Sequence, residues 1–290
     1  MTTNIKVVQR ELVREQLYKH LQNDLAFKLP TLGQKERDHL LLRFLLNKYI
    51  VRSKDDDPVF SVSISSYATS QLDKDLIYFK VVAPGLAENI NTSINVLAEY
   101  LRKKEPQISE DAKVTLDGNW MVYGNRRLPF IKMVKNLNNT FALQLRYEYM
   151  QMNNHGLARR YQDFNFPLDQ VTEGFASAFN HYFPKYCSVF PDLEPSLGSF
   201  FEQKSWSTPI VVINPPFDES LMDEVFTRIL DKPNKFILTL PHWKDWVGLQ
   251  KLLHHPRVTS SKIYPKGTLP FVTPDGRTIY PVEIIEVIIN

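Results

Sequence analysis

The sequence predicts an α/β protein in two parts, an amino-terminal, mainly helical region over residues 1–110 and a mostly parallel sheet covered by helices over residues 111–290. Three observations carry this expectation. In the second half, short apolar runs alternate with helical segments, the rhythm of a parallel sheet with helices on both faces. In the first half, apolar residues recur at helical spacing among charges. The length of 290 residues, 43% of them hydrophobic, is enough for one large core, or for a core domain with a smaller partner.

Over residues 5–25, Val8, Leu12, Leu17 and Leu21 mark an amphipathic helix. Thr31 and Gln34 read as a capping box ahead of "KERDHLLLRFLLNKYI", a buried helix. "SKDDDP" (53–58) is a charged connector, and "VFSVSIS" alternates Phe60, Val62 and Ile64 with serines as a half-buried strand does. Residues 91–104 read as a helix, and "KVTLDGNWMVY" as a hairpin turning at Asp117-Gly118. Strands are then expected at "EGFAS" (173–177), "YCSVF" (186–190), "PIVVI" (209–213), "KFILTL" (235–240) and "VEIIEVII" (282–289). Helices are expected at 221–230 and 245–254, and a hairpin at Asp275-Gly276 adds an antiparallel edge to the sheet.

Several function classes find no support. A single cysteine, Cys187, excludes an internal disulfide and points to a reducing, intracellular compartment, nuclear or cytoplasmic. No apolar run approaches ~18 residues and the charged amino terminus does not read as a signal peptide, so no membrane is required. A net charge of +3 does not by itself identify a nucleic-acid partner. There is no G-x-x-x-x-G-K loop, no G-x-S-x-G elbow and no His-Glu-x-x-His helix. His254-His255 makes no metal site, because neighbouring side chains on a helix point apart.

One stretch carries chemistry. In "TPIVVINPPFDESLMDEV" a buried strand stops at Asn214-Pro215-Pro216-Phe217, ahead of an acidic helix start. Ligands of open α/β sheets bind beyond the carboxyl ends of the strands. Two prolines hold the turn rigid there, and their missing N–H groups cost little once the strand is over. The Asn214 side-chain oxygen and the Pro215 carbonyl accept hydrogen bonds, and the Phe217 ring stacks. An exocyclic aromatic amine such as adenine N6 needs this set, because two acceptors on its hydrogens favour a pyramidal nitrogen with a freed lone pair. The competing reading is a turn that merely ends a strand.

The run Asn-Pro-Pro-Phe resembles the N-P-P-[FYW] motif of S-adenosylmethionine-dependent amino-methyltransferases. With "EGFASAFNHYFPKYCSVFPDLE" before it, the chain resembles the cap-specific adenosine N6-methyltransferases, the phosphorylated CTD-interacting factor family. That pattern runs F-A-S-P-x-N, Y-F, C-S-A-F-P-D and N-P-P-F, then an acidic residue and L-M-D. Phe175-Ala176-Ser177, Asn180, Tyr182-Phe183, Cys187-Ser188, Phe190-Pro191-Asp192, Asn214-Pro215-Pro216-Phe217, Glu219 and Leu221-Met222-Asp223 match it. "LTLPHW" (238–243) resembles a strand ending in I-P-x-W. The likeness holds over residues 145–243, more loosely to the carboxyl terminus, and fades in the first ~110; no WW module is expected. Ala178 stands where the family has Pro, and Asp218 where it has an uncharged residue. A Gly-rich cofactor loop is absent, as in the family.

The resemblance implies a Rossmann-like methyltransferase core, S-adenosylmethionine as cofactor and capped RNA as substrate. Asn214, Pro215, Pro216 and Phe217 would be catalytic. Phe175, Ala176, Ser177 and Asn180 would lie against the methionine part of the cofactor, and Asp192 would accept from its ribose hydroxyls or an amine. Phe190 is either a wall for the cofactor adenine or a core residue. Trp120, Trp243 and Trp246 are candidates to stack on a cationic methylguanine. Arg126-Arg127, Arg159-Arg160 and Lys262 with Lys266 are either phosphate partners or solvated faces. The expected activity is N6-methylation of the first transcribed, 2′-O-methylated adenosine beside an m7G cap. Alternatives are an internal RNA or DNA adenine, or a non-catalytic RNA-binding relative; no protein partner is implied.

Overall fold

Backbone ladders between residues 171 and 289 build one six-stranded sheet in the computed structural model, which describes residues 3–48, 57–61, 66–103, 113–152, 158–159, 164–272, 278–279 and 282–290. The chain divides into two compact units, residues 1–153 and 154–290. Residues 111–153, expected in the second part, thus group with the amino-terminal helices. Among the described residues, no helix is long and apolar enough to cross a membrane.

Among the described residues the first unit holds the α-helices α1 (Thr3–Lys28), α2 (Gln34–Lys48), α3 (Ser66–Tyr78), α4 (Leu86–Lys103) and α5 (Leu137–Tyr149). It also holds an antiparallel sheet of β1 (Thr115–Asp117), β2 (Trp120–Tyr123) and β3 (Arg126–Pro129). The β1–β2 hairpin forms where expected but turns one residue later, at Gly118-Asn119, with Gly118 at φ +57° where a side chain would be strained. Asn136 caps α5, its Oδ1 accepting from the Asn139 N–H at 3.0 Å. The α5 face carries Phe141, Leu145 and Arg146, all fully buried. Arg146 meets Glu11 of α1 in two bonds of 2.9 and 2.7 Å, and Tyr149 Oη donates to the same carboxylate at 2.5 Å.

Two expectations for this unit are corrected. α2 begins at Gln34, so Thr31 is not its N-cap. Residues 29–33 turn instead, and Arg37 donates to the carbonyls of Leu29 and Leu32. Residues 58–60 form a bend and 59–61 no strand, because Asp57 Oδ1 accepts the N–H groups of Val59 and Phe60 at 2.9 Å each. Residues 62–65 of that expected strand lie outside the described ones.

In the second unit the short ladder β4 (Ala158–Arg159) pairs with β10 (Phe271–Val272), which pairs with β11 (Thr278–Ile279). The expected turn at Asp275-Gly276 lies outside the described residues. The large sheet contains β5 (Val171–Glu173), β6 (Lys185–Tyr186), β7 (Ile210–Ile213), β8 (Lys235–Pro241), β9 (Val258–Tyr264) and β12 (Ile284–Ile289), in the order β6-β5-β7-β8-β12-β9. β5 through β8 run parallel. α6 (Glu219–Ile229) and α7 (Val247–Leu253) follow β7 and β8. The fold is α/β with a mixed sheet.

The antiparallel strand is not at the edge. β12 lies inside the sheet, between β8 and β9, and the exposed edge is β9, which its polar sequence "VTSSKIY" concealed. β5 and β6 also end early, at Glu173 and Tyr186, and their apolar continuations turn away as loops. Gly174 makes that turn possible: a Cβ there would lie 3.1 Å from the Phe200 ring and 3.3 Å from Ile213.

Candidate active site

The parallel strands end along one edge of the sheet, at Glu173, Tyr186, Ile213 and Pro241. From β5 the chain moves to β6 on one side and later to β7 on the other, so the order reverses between β5 and β7. A crevice opens where such a reversal occurs. Residues 174–177 leave from one lip and 214–217 from the other.

At the second lip Asn214 is half-buried, and its Oδ1 is buried with no hydrogen-bond partner. Pro215 is buried and Pro216 exposed. The Pro216 carbonyl accepts the Asp218 N–H at 2.9 Å, which folds the turn tightly around Phe217. Asp218 caps α6, its Oδ1 accepting from Leu221 at 2.9 Å. Phe217 stands edge-on to Trp243 (6.5 Å between centroids, 81°) and to Phe271 (6.3 Å, 83°). Tertiary packing therefore brings Trp243 beside the Asn-Pro-Pro-Phe turn. Trp246 turns away, donating to Asp223 Oδ1 at 3.1 Å and stacking on Phe226.

At the first lip, Phe175 lies tilted against Phe200 at 4.7 Å. Ser177 and Asn180 close a turn in which Asn180 Oδ1 accepts from Ser177 N at 2.7 Å and Ser177 Oγ at 3.1 Å. That oxygen is engaged in holding the loop. Phe190 is fully buried, whereas Asp192 is exposed in the turn after β6.

Two glutamates missed in the sequence hold this lip. Glu173 Oε2 accepts the N–H groups of Tyr182 (2.9 Å) and Phe183 (3.3 Å). Glu194 accepts from Ala178 N and, at 2.5 Å, from Ser188 Oγ, tying the loop after β5 to the loop after β6. Burial raises each carboxyl to about 7. Backbone donors oppose the rise at Glu173, and hydroxyl and backbone donors oppose it at Glu194, where Asp192 adds to it. Burial likewise pushes the Cys187 thiol up to about 12, which leaves it a neutral packing group. For Glu173 the readable signal was a glutamate closing a β-branched strand immediately before a glycine.

Trp120, Arg126 and Arg127 lie in the first unit, on the β1–β3 sheet. Trp120 is exposed, and Arg127 sits 5.3 Å from its ring centroid while bonding Asp117 at 2.7 Å. Arg126 bonds Glu15 at 2.6 Å, and its Nε is buried without a partner. In the second unit, Lys262 lies on β9 with its Nζ 4.6 Å from the Tyr264 ring centroid.

Comparison with known proteins finds a family and two relatives. A family model described as "Phosphorylated CTD interacting factor 1 WW domain" matches residues 131–264. Its description includes the module that the sequence was expected to lack. Over those residues this chain forms α5 and then the strands β5 to β9 with α6 and α7. A human protein named mRNA (2'-O-methyladenosine-N(6)-)-methyltransferase is 40% identical over 84 residues, 25% of this chain and 12% of the relative. The mouse protein of the same name is 39% identical over 82 residues, again 25% of this chain and 12% of the relative. The aligned stretch thus spans a small part of either relative's length.

Proposed function

We propose that this chain transfers a methyl group from S-adenosylmethionine to N6 of an adenosine in RNA, the first transcribed, 2′-O-methylated adenosine beside an m7G cap. The observation that carries the reading is the buried, unpartnered Oδ1 of Asn214 at the carboxyl end of β7. A buried acceptor left without a donor costs about 1–3 kcal/mol. An amine hydrogen arriving with substrate would remove that cost. The Pro215 carbonyl accepts the second amine hydrogen, and Phe217 beside Trp243 gives the base an aromatic wall.

The strand order supports a Rossmann-like core, since the reversal between β5 and β7 is where doubly wound sheets bind nucleotides. The chain's groups suit the cofactor: the 174–181 loop is braced from both sides, and the exposed Asp192 carboxylate suits ribose hydroxyls. When bound, S-adenosylmethionine supplies an electrophilic methyl on a sulfonium sulfur. Asn214 and Pro215 hold the amine so that its lone pair faces that methyl, and the prolines keep both acceptors from relaxing away. The names of the relatives support RNA and the cap-adjacent adenosine.

The test is methyl transfer to capped and uncapped oligonucleotides beginning with A or G. Incorporation at a capped leading A, with Asn214→Ala lowering kcat by about 10²–10³ as loss of one transition-state hydrogen bond does, is the expected result. Wild-type turnover in folded Asn214→Ala rejects the catalytic assignment. Equal kcat/KM with and without the cap rejects cap specificity and leaves an internal adenine. Failure to bind S-adenosylhomocysteine in calorimetry leaves a non-catalytic RNA-binding protein.

A further inference from the structure

Glu286 is a carboxylate on an interior strand of a buried sheet, where its neighbours along the chain are Ile284, Ile285, Val287 and Ile288. Burial of such a group is costly without partners, and a packed apolar residue would serve stability better. Its surroundings are specific. Tyr264 Oη donates to Oε2 at 2.7 Å, and Thr239 Oγ1 donates to Oε1 at 3.4 Å. Thr239 is the direct cross-strand partner of Glu286, and Glu286 that of Lys262.

The register carries this row towards the proposed site. Ile213 pairs with Leu238 in parallel, so the next residues, Asn214 and Thr239, follow in step. Side chains two apart share a face. Val212 and Ile237 belong to one apolar cluster, which puts Thr239 and Glu286 on that same face. Beyond them on that face is a second apolar cluster of Leu269, Phe271 and Ile284, with Phe217 and Tyr264 packed against it. A polar band thus crosses the sheet between two apolar clusters, and the unpartnered Asn214 Oδ1 lies at its β7 end.

We propose that Glu286 takes up the proton that the target amine loses on methylation, through the hydroxyl of Thr239; this rests on the methyltransferase reading above. As the nitrogen–methyl bond forms, the carbon–sulfur bond breaks and its electron pair stays on sulfur. The nitrogen then bears one positive charge, and an N–H bond gives up its proton while the pair returns to nitrogen. Amide oxygens such as those of Asn214 and Pro215 accept hydrogen bonds but are too weak as bases to keep that proton. It passes to Thr239 Oγ1 as the proton already there moves to Glu286 Oε1. The carboxylate ends as a carboxylic acid, Thr239 is regenerated, and water later removes the proton. Tyr264 orients the carboxylate, and the long Thr239 bond shortens in the reacting complex, as hydrogen bonds of resting sites do.

Three variants test this on RNA with a capped leading A. Glu286→Gln keeps the shape and the Tyr264 partner but removes the base. Thr239→Val breaks the link, and Thr239→Ser restores its hydroxyl. Loss of a general base lowers kcat by roughly 10²-fold or more, and this is expected for Glu286→Gln and Thr239→Val but not for Thr239→Ser. The groups facing Glu286 are Thr239 from β8 and Lys262 and Tyr264 from β9, while the Leu269–Phe271 cluster is apolar. Calorimetric Kd for S-adenosylhomocysteine stays at the wild-type value in all three. Wild-type kcat in Glu286→Gln or Thr239→Val overturns the relay, as does activity lost together with S-adenosylhomocysteine binding. If wild type itself transfers no methyl group, the methyltransferase reading falls and the relay with it.

Discussion

Glu11 in the first unit and Glu173 in the second are both buried glutamates, and the two units neutralise them by opposite means. Glu11 is held by two arginines, Arg146 in two bonds and Arg14 at 2.9 Å, with Tyr149 completing the shell. Arg14 also bonds Asp57 at 3.2 and 3.0 Å. Burial alone would raise the Asp57 carboxyl, but Arg14 and the backbone donors hold it below the usual carboxylate range. Glu173 instead receives backbone donors and Glu194 a backbone and a hydroxyl donor, and their carboxyls rise to about 7. An arginine lock fixes two helices. A carboxyl among N–H groups fixes a loop, and its burial makes the folded state favour the protonated form.

The largest expected effect is on the arginine lock. Removing one partner from a buried ion pair leaves an uncompensated charge and costs about 3–5 kcal/mol. Arg146→Ala should lose that much in urea unfolding, whereas replacing Glu11 and Arg146 together by apolar residues should cost much less. A single variant as stable as wild type would show that Arg14 alone suffices.

At the edge of the other clasp, Asp192→Ala tests the exposed acid rather than the buried ones. A hydrogen bond to a charged group contributes ~1.5–3 kcal/mol, so the Kd for S-adenosylhomocysteine should rise roughly tenfold or more while RNA affinity stays put. An unchanged Kd would return Asp192 to an ordinary turn residue.

The pH dependence of stability should differ in sign between the two kinds of carboxylate. Glu173 and Glu194 have folded values near 7 against 4.5 in the unfolded chain, so the folded state binds more protons in between. Their contribution is present below ~4.5 and is lost as pH rises through ~7, by on the order of 1–3 kcal/mol per group. Asp57, shifted down, contributes above its unfolded value and loses that contribution as pH falls through the folded one. Chemical unfolding from pH 4 to 8 of wild type and of Glu173→Gln with Glu194→Gln reads the glutamates, and unfolding below pH 4 reads Asp57; a double variant that keeps the wild-type slope between pH 4 and 8 rejects the assignment.

The smallest effect belongs to the surface. Arg127 is half-exposed beside Asp117 and the Trp120 ring, and such pairs contribute ~0–1 kcal/mol. Arg127→Ala should barely move the unfolding midpoint. Replacing Arg126 and Arg127 together should flatten the salt dependence of RNA binding if they meet phosphates, and an unchanged salt slope would leave them structural.

Sequence by itself determined what depends on near neighbours. The apolar periodicity of α1, α4 and α6, the continuous runs of β7, β8 and β12, and the turn at Gly118 all lie where residue spacing put them. So does the Asn-Pro-Pro-Phe turn at a strand end, because two prolines cannot continue a ladder. Tertiary structure alone decided what depends on distant partners. Glu11 and Arg146 are 135 positions apart, and no local pattern pairs them. β9 reads as polar coil until β12 supplies its hydrogen bonds. Glu286 reads as a stray charge in an apolar strand until Thr239 and Tyr264 arrive from two other strands. Whether Asn214 Oδ1 is satisfied is likewise a question of what stands opposite it in space, which spacing along the chain does not encode.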